Sequence, residues 1–252
     1  MKLKGKVAII TGAASGFGAG IATKFVAEGA NVLIADLNVE AAQDMAIVLG
    51  KQARAIRADV TCAHDVHHMV EYAEREWGPL DIMVNNAGLG HIPQPLENLT
   101  EDEFDRIAMV NMKALYLSAR EVVPRFKRRE GPSIKGVILN VASTAGVSPR
   151  PKLCWYNASK GFVITATRSM AIELAPFGIR VLALNPVAGE TPMLKTFMGG
   201  DLPELREKFL ASIPLGRFST PEDIGNAASF LCSDEASMIT GVALEVDGGR
   251  CI

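Results

Sequence analysis

The sequence predicts a doubly wound α/β fold, in which about seven parallel strands carry helices on both faces of the sheet. Short apolar runs alternate with segments of helical periodicity along the whole chain. The apolar runs are nearly continuous, as expected for strands covered on both faces, and strands connected through helices pair in parallel by right-handed crossovers. No linker, repeat or low-complexity segment interrupts this order, so residues 1–252 are predicted to form one domain.

The individual elements follow from the spacing of apolar residues. Val7–Thr11 is a short apolar run and the first predicted strand, and Phe17, Ile21 and Phe25 define the buried face of a helix over residues 16–29. Further strands are predicted at Asn31–Asp36, 53–58, 81–84, Gly136–Val141, 179–184 and 242–246. Further helices are predicted at Val39–Leu49, Ala63–Trp77, about 100–129 and 155–175, with another beginning at Pro221.

Two helix starts carry capping signals, and one helix contains a breaker. Thr100 and Glu103 have the spacing of a capping box. Thr220 precedes Pro221, and proline favours the first position of a helix. Pro124 is expected to kink or divide the long helix of residues 100–129, because proline removes a helical hydrogen bond.

Composition and charge exclude several classes of protein. An apolar fraction of 48% in 252 residues suits a globular core. The 26 basic and 28 acidic residues give a net charge of −2, which argues against nucleic acid as a partner. No apolar run approaches the roughly 20 residues that span a bilayer, and the four cysteines have no CxxC spacing. His64, His67 and His68 share a helix, and His64 and His68 are spaced i, i+4, but no carboxylate or third ligand stands at a suitable spacing, so no metal site is predicted. We expect a cytoplasmic protein.

A glycine-rich turn after the first strand indicates a nucleotide site. Residues 11–18 read TGAASGFG, and its glycines allow the backbone to approach a pyrophosphate at the N-terminus of the following helix. The turn alone is a weak signal. Asp36 strengthens it, because a carboxylate at the end of the second strand can accept both ribose hydroxyls and would repel a 2′-phosphate, which favours NAD over NADP. The candidate contacts here are Gly12, Ser15, Gly16, Phe17, Gly18, Asp36 and Leu37.

Two more strand ends extend the predicted cofactor groove. Asp59 and Val60 follow the third strand, where a carboxylate is placed to contact the adenine amino group. Asn86, Ala87 and Gly88 follow the fourth strand, and small residues there let the backbone lie against a ribose.

Ser143, Tyr156 and Lys160 form the candidate catalytic set. Tyr156 and Lys160 are spaced i, i+4 and share one face of a helix. An ammonium about 4 Å from the phenol is worth roughly 4 kcal/mol at an effective dielectric constant near 20. We therefore expect the tyrosine pKa to fall from about 10 toward about 7, where the phenol can act as a general acid or base. Ser143 would hydrogen-bond the same substrate oxygen.

Together, the motifs TGAASGFG, Asp36, NNAG, Asn111, Ser143, YNASK and NPVAGET resemble the short-chain dehydrogenase/reductase family, in its short single-domain branch with TGxxxGxG and YxxxK motifs. The resemblance covers about residues 6–249. It implies a Rossmann-like fold, a Ser143–Tyr156–Lys160 triad, and a contact between Lys160 and the nicotinamide ribose. It also implies that Asn111 extends the triad from a kink in its helix.

The resemblance further implies where the substrate end lies. Pro186, Val187 and Thr191 would hold the nicotinamide, although many members have glycine where this chain has Val187. Residues 190–218 would form a flap over the substrate, with a hinge at 199–200, and the chain would assemble as a homotetramer. The expected substrate contacts are Ser143, Tyr156, His91, Ala145, Gly189 and Met193.

Three functions are compatible with the sequence. The leading hypothesis is an NAD-dependent oxidoreductase for a small-molecule secondary alcohol or its ketone, such as a sugar, polyol or cyclic alcohol dehydrogenase. A 3-oxoacyl-(acyl-carrier-protein) reductase is the alternative. A non-catalytic NAD-binding regulator is a third, against which the complete Ser, Tyr, Lys and Asn set argues.

Overall fold

One parallel sheet organises the computed structural model, which describes residues 1–131, 134–199 and 203–252. Its strands are β1 (Val7–Thr11), β2 (Asn31–Asp36), β3 (Ala53–Arg57), β4 (Ile82–Asn85), β5 (Gly136–Val141), β6 (Ile179–Pro186) and β7 (Ala243–Val246). Their order across the sheet is β3-β2-β1-β4-β5-β6-β7, and every neighbouring pair is parallel. The direction of strand addition reverses between β1 and β4. The predicted Rossmann-like, doubly wound fold is confirmed.

The helices cover both faces of this sheet. They are α1 (Gly16–Ala27), α2 (Val39–Leu49), α3 (Ala63–Trp77), α4 (Glu101–Ala108), α5 (Ala114–Arg128), α6 (Cys154–Leu174), α7 (Met193–Met198), α8 (Pro203–Ala211) and α9 (Pro221–Cys232). Alternate strand residues enter two separate cores: Ile10 packs with Phe25 on one face, whereas Ile9 packs with Phe126 on the other. Burial on both faces explains why the strands are almost wholly apolar.

The long helix predicted over residues 100–129 is divided, but not by Pro124. One π-helical turn, Met109–Lys113, separates α4 from α5, and Pro124 lies inside α5 without ending it. The expectation of a junction at Pro124 is therefore wrong. The wider turn at Met109–Lys113 instead carries a buried polar side chain, Asn111, and such turns are frequent at functional sites.

Both predicted capping signals are confirmed. Thr100 caps α4 and Thr220 caps α9, and in each case the carboxylate three positions later accepts a hydrogen bond from the backbone N–H of the threonine. Among the described residues, no helix has the length and apolar content that crossing a bilayer requires.

Residues after β6 form a separate small layer beside the carboxyl edge of the sheet. Helices α7 and α8 lie in this segment, and its own core includes Leu194, Met198 and Phe218. Gly199 ends α7 in the left-handed conformation, with φ of +66°. The predicted hinge partner Gly200, together with Leu202, lies outside the described residues.

Candidate active site

A cleft of about 290 Å³ opens at the carboxyl edge of the strands. It brings together residues that are far apart in the sequence, from the glycine turn to the flap. The sequence-predicted residues that line it are Gly12, Ser15, Gly16, Phe17, Asp36, Asn86, Ala87, Gly88, Ser143, Ala145, Tyr156, Lys160, Pro186, Val187, Gly189, Thr191 and Met193. The candidate cofactor and catalytic sets therefore share one cleft.

Six predicted site residues are not among those that line this cleft: Gly18, Leu37, Asp59, Val60, His91 and Asn111. The Asp59 carboxylate accepts hydrogen bonds from the backbone and hydroxyl of Thr61, at 2.8 and 2.7 Å. His91 borders a second cavity with Glu103 and Arg106, and its Nδ1 lies 2.9 Å from the Ile92 carbonyl. Their predicted contacts with ligands remain predictions.

The glycine turn is shaped by close backbone approach. Gly12 has φ of +62°, and a Cβ there would lie 2.9 Å from the Ala87 Cα. A Cβ on Gly18 would lie 2.3 Å from the Gly12 carbonyl oxygen, so Gly18 supports the turn from behind. Ser15 precedes α1 without capping it through its side chain, and the first turn contains no acidic residue. The N-terminus of α1 thus faces the cleft with backbone donors that favour an anion.

Polar side chains fix the walls around this turn. Asn86 Nδ2 donates to the carbonyls of Thr11 and Gly12, at 2.8 and 3.0 Å. The Asp36 carboxylate accepts from the backbone of Ala14 and of Asn38, both at 3.0 Å. Because each oxygen of Asp36 is oriented by a backbone donor, the carboxylate is held at the end of β2 in the cleft.

Tyr156 and Lys160 lie one helical turn apart on α6, and both are 5% exposed. The Lys160 ammonium donates to the Val141 carbonyl at 3.0 Å and lies 5.8 Å from the centroid of the Tyr156 ring. Ser143 follows β5, and its Oγ accepts from the Ala145 backbone at 3.1 Å. The side chains of all three residues therefore reach the cleft that contains the glycine turn.

The pKa expectation for Tyr156 is wrong for the protein without ligands. Burial raises the pKa of Tyr156 to about 12, and the neighbouring Ser143 hydroxyl only partly opposes this. Burial also lowers the pKa of Lys160 to about 8. The Lys160 ammonium is buried and donates to the Val141 carbonyl, and no hydrogen bond joins it to the phenol in this structure. Desolvation, which disfavours the charged form of both groups, therefore outweighs their attraction.

Asn111 connects α6 to the loop after β4. Its Oδ1 accepts from the Leu89 backbone at 2.8 Å, and its Nδ2 donates to the Leu89 carbonyl and to Ser159 Oγ, both at 2.9 Å. A Cβ on Gly88 would lie 3.3 Å from Lys160 Nζ and 3.4 Å from Asn111 Oδ1. Asn111 is thus near Lys160 but stands behind the cleft.

Sequence reasoning missed part of the lining. Arg150 and Leu153, in the loop between β5 and α6, border the cleft. Phe197 of α7 and Phe209 of α8 also border it, and both belong to the segment of residues 190–218 that is expected to cover the substrate. The ring centroids of Phe197 and Tyr156 are 4.8 Å apart. Arg150 and Leu153 lie between Ser143 and Tyr156 in the sequence, and this position could have identified them as candidates.

The burial of Lys160 predicts a stability cost that depends on pH. The unfolded chain holds this proton up to a pKa near 10.5, whereas the folded protein releases it near pH 8. Wild-type stability should therefore rise with pH between these values. Lys160→Met should increase the free energy of unfolding at pH 7 by about 2 kcal/mol, which is about 3 kcal/mol of avoided desolvation less about 1 for the lost hydrogen bond.

Urea unfolding at pH 7 and above pH 10 measures this difference, with exposed Lys51→Met as the matched control. The gain of Lys160→Met should shrink as the pH rises and change sign, so that above about pH 10.5 only the loss of about 1 kcal/mol for the hydrogen bond remains. A destabilised Lys160→Met protein at pH 7 would contradict the assignment of an unfavourably buried ammonium.

Comparison with known proteins agrees with this geometry. The family model described as enoyl-(acyl carrier protein) reductase matches residues 12–250. The chain is 49% identical to 4-formylbenzenesulfonate dehydrogenase TsaC1/TsaC2 of Comamonas testosteroni, covering 100% of both chains. It is 37% identical to galactitol 2-dehydrogenase of Agrobacterium fabrum, covering 99% of each.

A solved structure is also closely similar. The crystal structure of 3-ketoacyl-(acyl-carrier-protein) reductase from Brucella melitensis, complexed with NADH, has a TM-score of 0.93 and 52% identity, covering 99% of this chain and 100% of that chain. The match extends over the sheet, the glycine turn and the helix of Tyr156 and Lys160. On these grounds, the chain belongs to the short-chain dehydrogenase/reductase family of oxidoreductases.

Proposed function

We propose that this protein is an NAD(H)-dependent oxidoreductase that interconverts a secondary alcohol and a ketone, with Tyr156 as the general acid and base. One observation carries the proposal: Tyr156 and Lys160 line the same cleft as the glycine turn and Asp36. A proton-transfer group is thereby placed beside a site that suits a dinucleotide.

The residues of the cleft fit NAD. Gly12 and Gly16 have positive φ and pack closely against Ala87 and Thr191, which shapes the turn at the uncapped N-terminus of α1, where backbone donors suit a pyrophosphate. Asp36 is oriented to accept ribose hydroxyls, and the flanking residues, Ala13, Ala14, Ser15, Leu37 and Asn38, include no cation for a 2′-phosphate. When bound, NAD would supply the hydride acceptor and a positive charge that favours ionisation of the Tyr156 phenol. The NADH in the similar Brucella structure is consistent with this assignment.

Residues of the protein itself would transfer the proton to or from the substrate oxygen. With a pKa of about 12 in the protein alone, the Tyr156 phenol is protonated at neutral pH and can donate to a ketone oxygen. In the opposite direction the phenolate would accept the alcohol proton, and the Lys160 charge would stabilise it. Ser143, beside the phenol, would hold the same substrate oxygen. Phe197 covers the Tyr156 ring and would limit access of water.

The segment of residues 190–218 would cover the substrate. Phe197 on α7 and Phe209 on α8 both reach the cleft, and Leu194 and Met198 anchor α7 in its own small core. A segment with a separate core can move against the sheet without unfolding the main cores. We therefore assign it as the flap, with the body of the domain formed by the rest of residues 1–252.

Two substrate classes compete. Relatives named for 4-formylbenzenesulfonate and galactitol favour a dehydrogenase of small alcohols, sugars or polyols. The 52% identical 3-ketoacyl-(acyl-carrier-protein) reductase favours the alternative, a 3-oxoacyl reductase. Turnover of a panel of polyols, cyclic alcohols and 3-hydroxyacyl thioesters, followed by NADH absorbance, separates the two classes.

We also propose that the chain forms a homotetramer through the outer faces of α5 and α6. Tyr116 on α5 and Ile172 on α6 are 58% and 81% exposed, so both side chains are available for contact with another copy of the chain. Sedimentation should show a tetramer, and Ile172→Glu should dissociate it. Ile47→Glu, at a 77% exposed position on α2, is the matched control. A wild-type monomer would contradict this assembly.

Tyr156→Phe should lower kcat by about 10²–10⁴-fold, the usual contribution of a general acid or base. NADH affinity, measured by fluorescence, should stay within about threefold of wild type, since the ring that packs on Phe197 is retained. Tyr72→Phe removes a hydroxyl outside the cleft and should keep full turnover. Unchanged turnover in Tyr156→Phe would refute the assigned role, and would leave the non-catalytic regulator as the better hypothesis.

Asp36→Ala should weaken the preference for NAD. Hydrogen bonds to a charged acceptor are worth about 1.5–3 kcal/mol, so kcat/KM for NAD should fall about 10- to 100-fold while that for NADP rises or stays constant. Asp44→Ala, an exposed position on α2, serves as the control. A wild-type enzyme that prefers NADP would overturn the cofactor assignment.

A further inference from the structure

Arg150 brings a positive charge to the substrate end of the cleft. Of the described residues that line the cleft, the charged ones are Asp36, Lys160 and Arg150. Asp36 belongs to the end of β2, and Lys160 is bonded to the Val141 carbonyl. Arg150 lies in the loop that connects Ser143 to Tyr156, so it enters the cleft from the side of the reacting hydroxyls.

The backbone around Arg150 is held in place. Its carbonyl accepts a hydrogen bond from Asn157 Nδ2 at 2.8 Å, next to Tyr156 on α6. Pro149 and Pro151 flank it, and Lys152 follows with φ of +65°, a strained value for a residue with a side chain. The Lys152 carbonyl in turn accepts from the Gln94 backbone at 3.0 Å. A rigid loop therefore presents the arginine, as expected for a positioned ligand-binding group.

The guanidinium has no anionic partner in the described part of the chain. The ion pairs and side-chain hydrogen bonds of these residues do not include the half-buried Arg150 guanidinium, although charges removed from water are generally paired. Burial, with the nearby cation of Arg250, lowers the pKa of Arg150 to about 10, so it stays charged at neutral pH. Arg250 itself bonds the Ser148 carbonyl, at 3.3 Å.

Stacking on Phe209 leaves the N–H donors of the Arg150 guanidinium available for hydrogen bonds. The guanidinium carbon lies 3.8 Å from the centroid of the Phe209 ring on α8. This contact uses a face of the guanidinium plane. The five N–H donors lie in that plane and suit a carboxylate or another oxyanion. An incoming anion could therefore pair with Arg150 without displacing Phe209.

We propose that Arg150 recognises an anionic group on the substrate, so that the preferred alcohol or ketone carries a carboxylate, sulfonate or phosphate away from the reacting carbon. The apolar walls formed by Leu153, Phe197 and Phe209 would contact the connecting part of the molecule. This inference rests on the proposed function for the use of the site, but the binding of the anion can be tested without turnover.

Matched pairs of compounds that differ in charge provide the test. The alcohols are 4-(1-hydroxyethyl)benzoate with its amide and 4-(1-hydroxyethyl)benzenesulfonate with its sulfonamide, which also separate the two anion types. Wild-type kcat/KM should favour an anion over its amide by about 10- to 100-fold, the range expected for a charge-assisted hydrogen bond. Arg150→Met should abolish this ratio, mainly through KM, and Arg150→Lys should restore part of it.

Arg206→Met is the matched control on the same flap. Arg206 stacks on Phe218 at 4.8 Å and bonds Glu190 at 3.1 Å, outside the cleft, so its loss should keep the anion preference. An equal loss of turnover on anion and amide in Arg150→Met would show that Arg150 only closes the flap, and would overturn the proposal.

Calorimetry with benzoate, benzamide, benzenesulfonate and benzenesulfonamide on the NAD-saturated enzyme gives a readout independent of activity. At least one anion should bind more tightly than its amide in wild type and lose that advantage in Arg150→Met. If no anion binds more tightly than its amide in a way that depends on Arg150, the inference fails, even if the enzyme oxidises these alcohols. If anions bind through Arg150 but no alcohol in the panel reduces NAD, the proposed oxidoreductase function fails instead.

Discussion

The parallel direction of the seven strands is the constraint on which the site depends. Because the carboxyl ends of all strands open on one edge, residues that follow β1, β2, β4, β5 and β6 meet there. Gly12, Asp36, Asn86, Ser143 and Pro186 are each at or just beyond the end of a different strand. Reversal of strand order between β1 and β4 separates the helices on the two faces and leaves the crevice in which these residues line up.

A chain of buried polar groups carries this constraint from the sheet to α6. Asn85 Nδ2 donates to Asn140 Oδ1, and Asn140 Nδ2 donates to Thr167 Oγ1, both at 2.9 Å. Asn140 and Thr167 are fully buried, so an apolar neighbour would leave an unsatisfied partner. These hydrogen bonds therefore fix the position of α6 against β4 and β5. The positions of Tyr156 and Lys160 depend on the position of α6, which apolar packing alone would fix less precisely than these hydrogen bonds do.

Features that depend on neighbouring residues could be predicted from the sequence, and features that depend on burial could not. The helix caps at Thr100 and Thr220 follow from local chemistry. The doubly wound fold, and the proximity of Asp36 to the glycine turn, follow from the parallel topology of the sheet. The pKa of Tyr156 could not be predicted, because the distance to Lys160 and the desolvation of both groups arise only in the folded protein. The position of His91 likewise depends on the fold of its loop, which places it beside a neighbouring cavity, and its contact with a substrate stays a prediction.

Electrostatics in the cleft connect folding to binding. Burial lowers the pKa of Lys160 to about 8 and that of Arg150 to about 10, so both cations are less stable in the folded protein than in water. A carboxylate of the chain beside either one would relieve that cost, but it would also compete with an anionic ligand for the same donors. Among the described residues no carboxylate forms an ion pair with Lys160 or Arg150, so their attraction is available to a phenolate at Tyr156 and to the proposed anionic group at Arg150. Some stability of the ligand-free protein is thus lost in exchange for selective binding, as in other preorganised sites.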